Sequence, residues 1–125
     1  MSHSRRSCLL LLFAVLAAAQ EGHPLTGTWH GSWGPNATQR TDITFVMKWD
    51  GKNITGIINP GFDAMPLQTA VLETKGWAVH FEATAKDGKI VADGKIENVT
   101  NVRRSIVGKW TQGGRSGDFK IVRDN

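Results

Sequence analysis

The chain has 125 residues, with 15 Lys and Arg against 11 Asp and Glu, and it contains one cysteine, Cys8. A single cysteine excludes an intrachain disulfide framework and a cysteine zinc site. The basic residues are spread along the chain and form no stripe, which argues against a nucleic-acid-binding surface. The length is that of one domain with a real core.

The first nineteen residues have the pattern of a secretory signal peptide. Two arginines near the start precede an uncharged apolar run at 8–16, and three alanines end the segment at Ala19. The apolar run is shorter than the roughly 20 residues that a membrane-spanning helix needs. We therefore predict a signal peptide at 1–19, a mature domain at 20–125 that is periplasmic or extracellular, and no membrane span.

Alternation of apolar and polar residues recurs through the mature chain, whereas a helical period does not persist. In the first predicted strand, 25–33, the odd positions are apolar or glycine and the even positions are polar. Asp50-Gly51 and Asp87-Gly88 have the composition of tight hairpin turns. Seven more strands are predicted in chain order, at 41–49, 53–58, 67–73, 77–85, 90–97, 104–111 and 117–123. The strand at 67–73 alternates poorly, which indicates a bulge.

Eight strands with short connections predict an all-β fold, a single eight-stranded antiparallel up-and-down barrel. A sheet of eight strands closes on an interior that is either filled by side chains or holds one small ligand. Short strands need kinks to close in this way. Five glycines on predicted inward positions supply them: Gly27, Gly31, Gly56, Gly94 and Gly108.

The start and the end of the barrel domain together resemble a known signature. Gly27-Thr28-Trp29 on the first strand, with Arg123 near the end of the last, resembles the calycin-type barrels, which are the lipocalins, fatty-acid-binding proteins and avidins. The resemblance implies that Gly27, Trp29 and Arg123 close the barrel, with Arg123 stacked on Trp29 as a cation-π contact. The avidin version is the most similar. The chain also looks like small exported bacterial domains of unassigned function.

The resemblance to avidins does not extend to their ligand. The polar residues that follow the first-strand tryptophan in avidins are replaced here by His30-Gly31-Ser32, and the chain contains no tyrosine. Biotin is therefore not the expected ligand.

Five tryptophans fall on predicted inward positions: Trp29, Trp33, Trp49, Trp77 and Trp110. Their rings either line a ligand cavity or simply fill a narrow barrel. A continuous cavity on the order of a few hundred Å3 beside Trp33 and Trp110 would distinguish the first interpretation from the second.

Strand order places four connections, 34–40, 59–66, 86–89 and 112–116, at one end of the barrel, which we call the wide-loop end. Long loops rich in Gly and Pro are where binding residues concentrate. The candidate ligand-binding residues at this end are Trp33, Phe62, Met65, Trp110 and Arg115. The expected ligand is a small hydrophobic or amphiphilic molecule.

Catalytic patterns are not evident in the sequence. His23, His30 and His80 do not have metal-ligand spacing, and there is no nucleophile elbow, phosphate loop or acid and base pair. We predict no catalytic residue, no metal and no cofactor. The favoured hypothesis is an exported non-catalytic binding protein, present as a monomer or small homo-oligomer. The alternative is an envelope or interaction protein with a filled core that acts through its outer surface.

Overall fold

A computed structural model describes residues 23–61, 63–101 and 103–124. These residues form a closed barrel of eight antiparallel strands that follow one another in sequence order. The predicted up-and-down barrel is therefore confirmed, while the predicted signal peptide at 1–19 lies outside the described residues. The strands are β1 (Gly27–Gly34), β2 (Thr41–Trp49), β3 (Ile54–Ile58), β4 (Met65–Glu73), β5 (Ala78–Ala85), β6 (Gly88–Glu97), β7 (Ser105–Gln112) and β8 (Arg115–Arg123).

The first and last strands close the barrel, as predicted. β1 pairs with β8 from Trp29 opposite Arg123 to Gly34 opposite Asp118. On its other side, β1 pairs with β2 over residues 27–33. Closure provides hydrogen-bond partners for what would otherwise be two free sheet edges.

The core consists of alternate residues of the strands. On β2, Ile43, Phe45 and Met47 are at most 3% exposed, while the residues between them are more exposed. Trp29 has no exposed surface, and its indole Nε1 donates a hydrogen bond to the Leu25 carbonyl oxygen at 2.9 Å. This hydrogen bond satisfies the polar atom of the ring and offsets the cost of removing it from water.

Two of the predicted inward glycines lie directly opposite each other, Gly94 on β6 and Gly108 on β7. A Cβ atom on Gly108 would lie 2.5 Å from the Gly94 Cα and 2.1 Å from the Asp93 carbonyl oxygen. Both distances are too short for non-bonded heavy atoms. The two backbones therefore approach so closely that only glycine fits at Gly108.

The barrel-closing residues follow the prediction only in part. Trp29 and Arg123 are opposite each other in the β1–β8 pairing. Among the described residues, however, the cation-π contact joins Arg115 to Trp110 and not Arg123 to Trp29. The Arg123 side chain lies against Gly27, where a Cβ would be 3.0 Å from the Arg123 Nε. The predicted stacking of Arg123 on Trp29 is thus corrected to packing over Gly27.

Trp77 is also placed differently from the prediction. It lies in the turn before β5, with a left-handed backbone (φ 56°), although its side chain still packs against the core. The Trp77 carbonyl oxygen accepts a hydrogen bond from the Ile96 N–H at 2.9 Å. This hydrogen bond joins the turn to β6, although Trp77 is not part of the β5–β6 strand pairing.

The strand that alternates poorly is irregular in the structure, as predicted. The register between β4 and β5 shifts between Leu67 and Thr69, which is a bulge. On its other side, β4 pairs with β3 at only two positions, Ile57 opposite Pro66 and Ile58 opposite Met65. β3 and β4 are therefore paired only near the wide-loop end of the barrel. The rest of β4, residues 67–73, has no register partner on β3.

The first long loop, 35–40, is tied to the barrel by side chains. The Asn36 Oδ1 accepts hydrogen bonds from the backbone N–H groups of Thr38 and Gln39 at 3.0 and 2.9 Å. Arg40 forms an ion pair with Asp118 of β8 and donates from Nε to the Ser32 Oγ at 3.2 Å. These contacts hold the loop over the β1–β8 junction.

Candidate functional site

The wide-loop end carries an open depression of about 520 Å3, which we call the loop-end depression. Its volume is within the range of roughly 300 to 1,000 Å3 that is typical of small-molecule sites. The lining combines apolar side chains with charged ones, and includes Trp33, Met65, Ile90, Asp63, Lys86, Asp87 and Arg115.

Three of the five predicted ligand-binding residues line this depression, Trp33, Met65 and Arg115. Met65 and Arg115 are the first residues of β4 and β8, not loop residues as predicted. Trp110 does not line the depression but contacts two residues that do. Phe62 lies outside the described residues.

Trp110 supports the depression from below. Its ring centroid is 5.3 Å from that of Trp33 at an interplanar angle of 43°, and the Arg115 guanidinium carbon lies 6.0 Å from the Trp110 centroid. The Trp110 indole Nε1 donates to the Asp118 carbonyl oxygen at 3.0 Å. This hydrogen bond fixes the buried ring of Trp110, which in turn limits the orientations open to the half-buried ring of Trp33.

The interior of the barrel below this end is filled. The remaining cavity is about 10 Å3, room for about one water molecule. It is lined by side chains from most of the strands, including Trp33, Phe45, Ile58, Phe81, Trp110 and Phe119. Phenylalanine and aliphatic side chains therefore fill the barrel together with Trp33 and Trp110, and the described residues enclose no cavity of a few hundred Å3 beside these two rings. Trp49, which the sequence predicts to point inward, is not part of the buried core cluster.

The rim of the loop-end depression carries charges of both signs. Lys86 and Arg115 are cationic, Asp63 and Asp87 are anionic, and all four side chains are exposed. The floor, by contrast, is apolar, with Ile90 only 3% exposed. An apolar floor under a charged rim suits a molecule with an apolar body and a polar or charged group.

A second polar cluster lies on the outer wall of the barrel. The His80 Nδ1 is 2.5 Å from the Asp93 carboxylate on β6, and the His80 Nε2 is 2.7 Å from the Glu82 carboxylate. Lys89 also pairs with Glu82, at 2.5 Å. Hydrogen bonds to Glu82 and then Asp93 raise the pKa of His80, and hydrogen bonds from His80 and then Lys89 lower the pKa of Glu82.

The sequence shows His80 and Glu82 two positions apart on one strand face, but the contribution of Asp93 depends on the register between β5 and β6, which places it opposite His80. The two carboxylates bind opposite nitrogens of one imidazole ring. They therefore cannot share one metal ion with that ring in this arrangement. Nowhere in the described segments do three or more His, Cys, Asp or Glu side chains form a metal-ion site.

We predict that this cluster makes stability depend on pH. The pKa of His80 is raised in the folded state, so its stabilising effect is present below about pH 6.5 and is lost as the pH rises through the raised value. The pKa of Glu82 is lowered, so its stabilising effect is present above about pH 4.5 and is lost as the pH falls through the lowered value. In urea unfolding at a series of pH values, the free energy of unfolding of the parent protein should fall above about pH 6.5. The H80Q variant should not show this fall.

The matched control for H80Q is Glu97→Gln, which removes an exposed charge on β6, away from the His80 cluster. The control should keep the alkaline decline of the parent protein. An unchanged decline in H80Q would show that His80 does not cause it.

No protein-family model, curated protein or solved structure matches this chain. Over the residues that the structure describes, no helix is long and apolar enough to span a membrane.

Proposed function

We propose that this protein is an exported, non-catalytic barrel of calycin type that binds a small amphiphilic molecule in the loop-end depression. The observation that carries the proposal is the convergence of Trp33, Met65 and Ile90 with a charged rim in one depression of about 520 Å3. The residues come from different strands and meet only because the barrel closes.

The filled interior determines how such a ligand would be held. With about 10 Å3 left inside, the ligand lies on the end of the barrel and not within it. Its apolar part contacts Trp33 and Met65, and an anionic group reaches Arg115 or Lys86. Trp110 limits the orientations of the Trp33 ring, which reduces the entropy lost on binding.

The test uses 8-anilinonaphthalene-1-sulfonate, a dye with an aromatic body and an anionic group. We expect the dye to fluoresce on binding and to quench tryptophan emission from Trp33. Arg115→Gln should weaken dye binding roughly fivefold, since a hydrogen bond to a charged group contributes on the order of 1 kcal/mol or more. Fluorescence titration at low salt measures both effects.

Arg103→Gln is the matched control, because Arg103 is an exposed arginine in the connection between β6 and β7 at the opposite end of the barrel. Its affinity for the dye should equal that of the parent protein. Equal weakening in both variants would indicate general electrostatic attraction and would contradict a site at the loop-end depression.

The filled interior favours a second candidate function, an interaction protein that acts through its outer surface. Under this alternative the barrel is a rigid scaffold and needs no small ligand. Absence of any saturable dye binding to the folded protein would favour it over the loop-end site.

A further inference from the structure

Two arginines are neighbours at the end of the barrel opposite the wide-loop end, which we call the narrow end. Arg104 directly precedes β7, and Arg123 is the last residue of β8. The Arg123 N–H donates a hydrogen bond to the Arg104 carbonyl oxygen at 2.9 Å. We call these two residues the arginine pair. Neither of them lines the loop-end depression, so the pair is independent of the ligand site proposed above.

Both arginines continue the inward positions of their strands. Arg104 lies two residues before Ile106, Arg123 lies two residues after Ile121, and both isoleucines have no exposed surface. Because side chains alternate between the two faces of a strand, both arginines lie on the inward face at the rim of the narrow end. In agreement with this placement, the Arg123 side chain packs over Gly27, and both arginines are half-buried.

The described residues provide no carboxylate for the arginine pair. None of the ion pairs among them includes Arg104 or Arg123. Asp124, the residue after Arg123, pairs instead with the His30 Nε2 at 2.8 Å. The buried core residues at the narrow end are apolar: Leu25, Trp29, Met47, Val79 and Ile96. Two cationic groups therefore lie together with no compensating charge from the described part of the chain.

The hydrogen bonds of the arginine pair show the same shortage of acceptors. Arg104 donates from Nε to the Asn101 carbonyl oxygen and from Nη1 to the Pro24 carbonyl oxygen, both at 3.2 Å. The Arg123 Nε is buried and has no hydrogen-bond partner among the described residues. The terminal nitrogens of Arg123 are not enclosed in this way. An acceptor from outside the barrel can therefore reach them.

The arginine pair also carries an electrostatic cost. Burial and then the charge of Arg123 lower the pKa of Arg104. Like charges that are partly removed from water are unfavourable unless an opposite charge compensates them. An anion bound between the two guanidinium groups would supply that charge and the missing acceptors together.

We propose that the arginine pair binds a phosphate group, either free or as a monoester of an organic molecule. A phosphate monoester carries about −1.5 to −2 charges at pH 7, which matches the two guanidinium charges. The planar guanidinium also presents its donors in a fork that fits two phosphate oxygens. A carboxylate carries a single charge and would compensate only one of the two arginines.

The first test compares phosphate with chloride. Thermal unfolding of the mature protein is followed at neutral pH in a millimolar series of sodium phosphate, and in sodium chloride of the same ionic strength. Phosphate should raise the melting temperature saturably, since a ligand that binds only the folded protein stabilises it. Equal effects of the two salts would overturn the proposal.

Substitution of Arg104 locates the phosphate effect. Arg104→Gln should weaken phosphate binding roughly tenfold or more, because charge-assisted hydrogen bonds are lost. Arg104→Lys keeps the charge but lacks the fork, so its affinity should fall between those of the parent protein and Arg104→Gln. A phosphate effect that persists in full in Arg104→Gln would be general stabilisation by the salt and would overturn the proposal.

Arg103→Gln is the matched control, because Arg103 is the neighbouring arginine and is exposed. This variant should bind phosphate like the parent protein. Weakening equal to that of Arg104→Gln would indicate general attraction to a basic surface and would contradict a site at the arginine pair. Thermal unfolding in chloride shows whether each variant is folded, and Arg104→Lys carries the comparison if Arg104→Gln is not.

Phenyl phosphate distinguishes the two sources of the phosphate group. Tighter binding of phenyl phosphate than of inorganic phosphate, lost in Arg104→Gln, would support the site and identify an organic monoester as its ligand. Equal or weaker binding that is also lost in Arg104→Gln would support the site and identify free phosphate.

Nuclear magnetic resonance of the arginine Nε–H groups provides the independent measurement. Inorganic phosphate should shift the signals of Arg104 and Arg123 and leave that of Arg115 unchanged. A shift confined to Arg115 would place the phosphate in the loop-end depression. That result would overturn the site at the arginine pair and leave the proposed function of the loop-end depression standing.

Discussion

Replacing Trp29 with alanine should reduce the free energy of unfolding by about 3 to 5 kcal/mol, the range for deleting a buried aromatic side chain. Trp29 has no exposed surface and lies on β1, which is paired on both sides. The substitution also removes the indole donor from the Leu25 carbonyl oxygen, which leaves a buried acceptor unpaired. Domains of this size are stable by only about 5 to 15 kcal/mol.

Urea denaturation followed by circular dichroism measures this loss. Val71→Ala is the control for loss of a large apolar side chain at an exposed position, where changes are usually within about 0.5 kcal/mol. A Trp29→Ala protein as stable as the Val71→Ala protein would mean that Trp29 is not enclosed by the core.

The fold was predictable because alternation and turn residues act locally. Most of the strands show their inward face directly in the sequence, as Ile43, Phe45 and Met47 do on β2. The hairpin signal at Asp50 corresponds to a turn in which its carboxylate accepts hydrogen bonds from the Lys52 and Asn53 N–H groups at 2.8 and 2.7 Å. Strand order then follows from short connections.

Alternation was less informative about where strands end. Trp77 continues the apolar pattern of β5, yet Gly76 and Trp77 both have left-handed backbone conformations. An apolar side chain can reach the core from a turn as well as from a strand. Alternation also does not show whether a residue at a boundary belongs to the strand or to the loop before it. Met65 and Arg115 could therefore be placed at the wide-loop end but not assigned to strands.

The site was predictable only in its location. Strand order places Trp33, Met65 and Arg115 at one end, and the structure brings them to one depression. Whether the interior is empty or filled depends on how rings from several strands pack together, and sequence periodicity carries no information about that. The restriction of β3–β4 pairing to two positions is also a question of register, which alternation specifies weakly for a strand as short as β3.

The closure of the barrel should be most sensitive to Gly31, at the middle of the β1–β8 pairing. A Cβ at this position would lie 1.8 Å from the Lys120 carbonyl oxygen and 2.7 Å from the Ile121 Cα. Both are backbone atoms of β8, so no side-chain movement can relieve the contact. Gly31→Ala should therefore reduce stability by about 3 kcal/mol, the upper part of the usual range for overpacking.

Gly114→Ala is the matched control, because Gly114 lies in the β7–β8 turn, lacks a positive φ, and has no neighbouring atom within 4 Å of the position that a Cβ would take. Its stability should equal or slightly exceed that of the parent protein, since alanine restricts the unfolded chain. In Gly31→Ala, separation of β1 from β8 should also increase amide exchange in both strands and move Trp33 relative to Arg115. A Gly31→Ala protein with parental stability and exchange would show that β1 and β8 do not approach this closely.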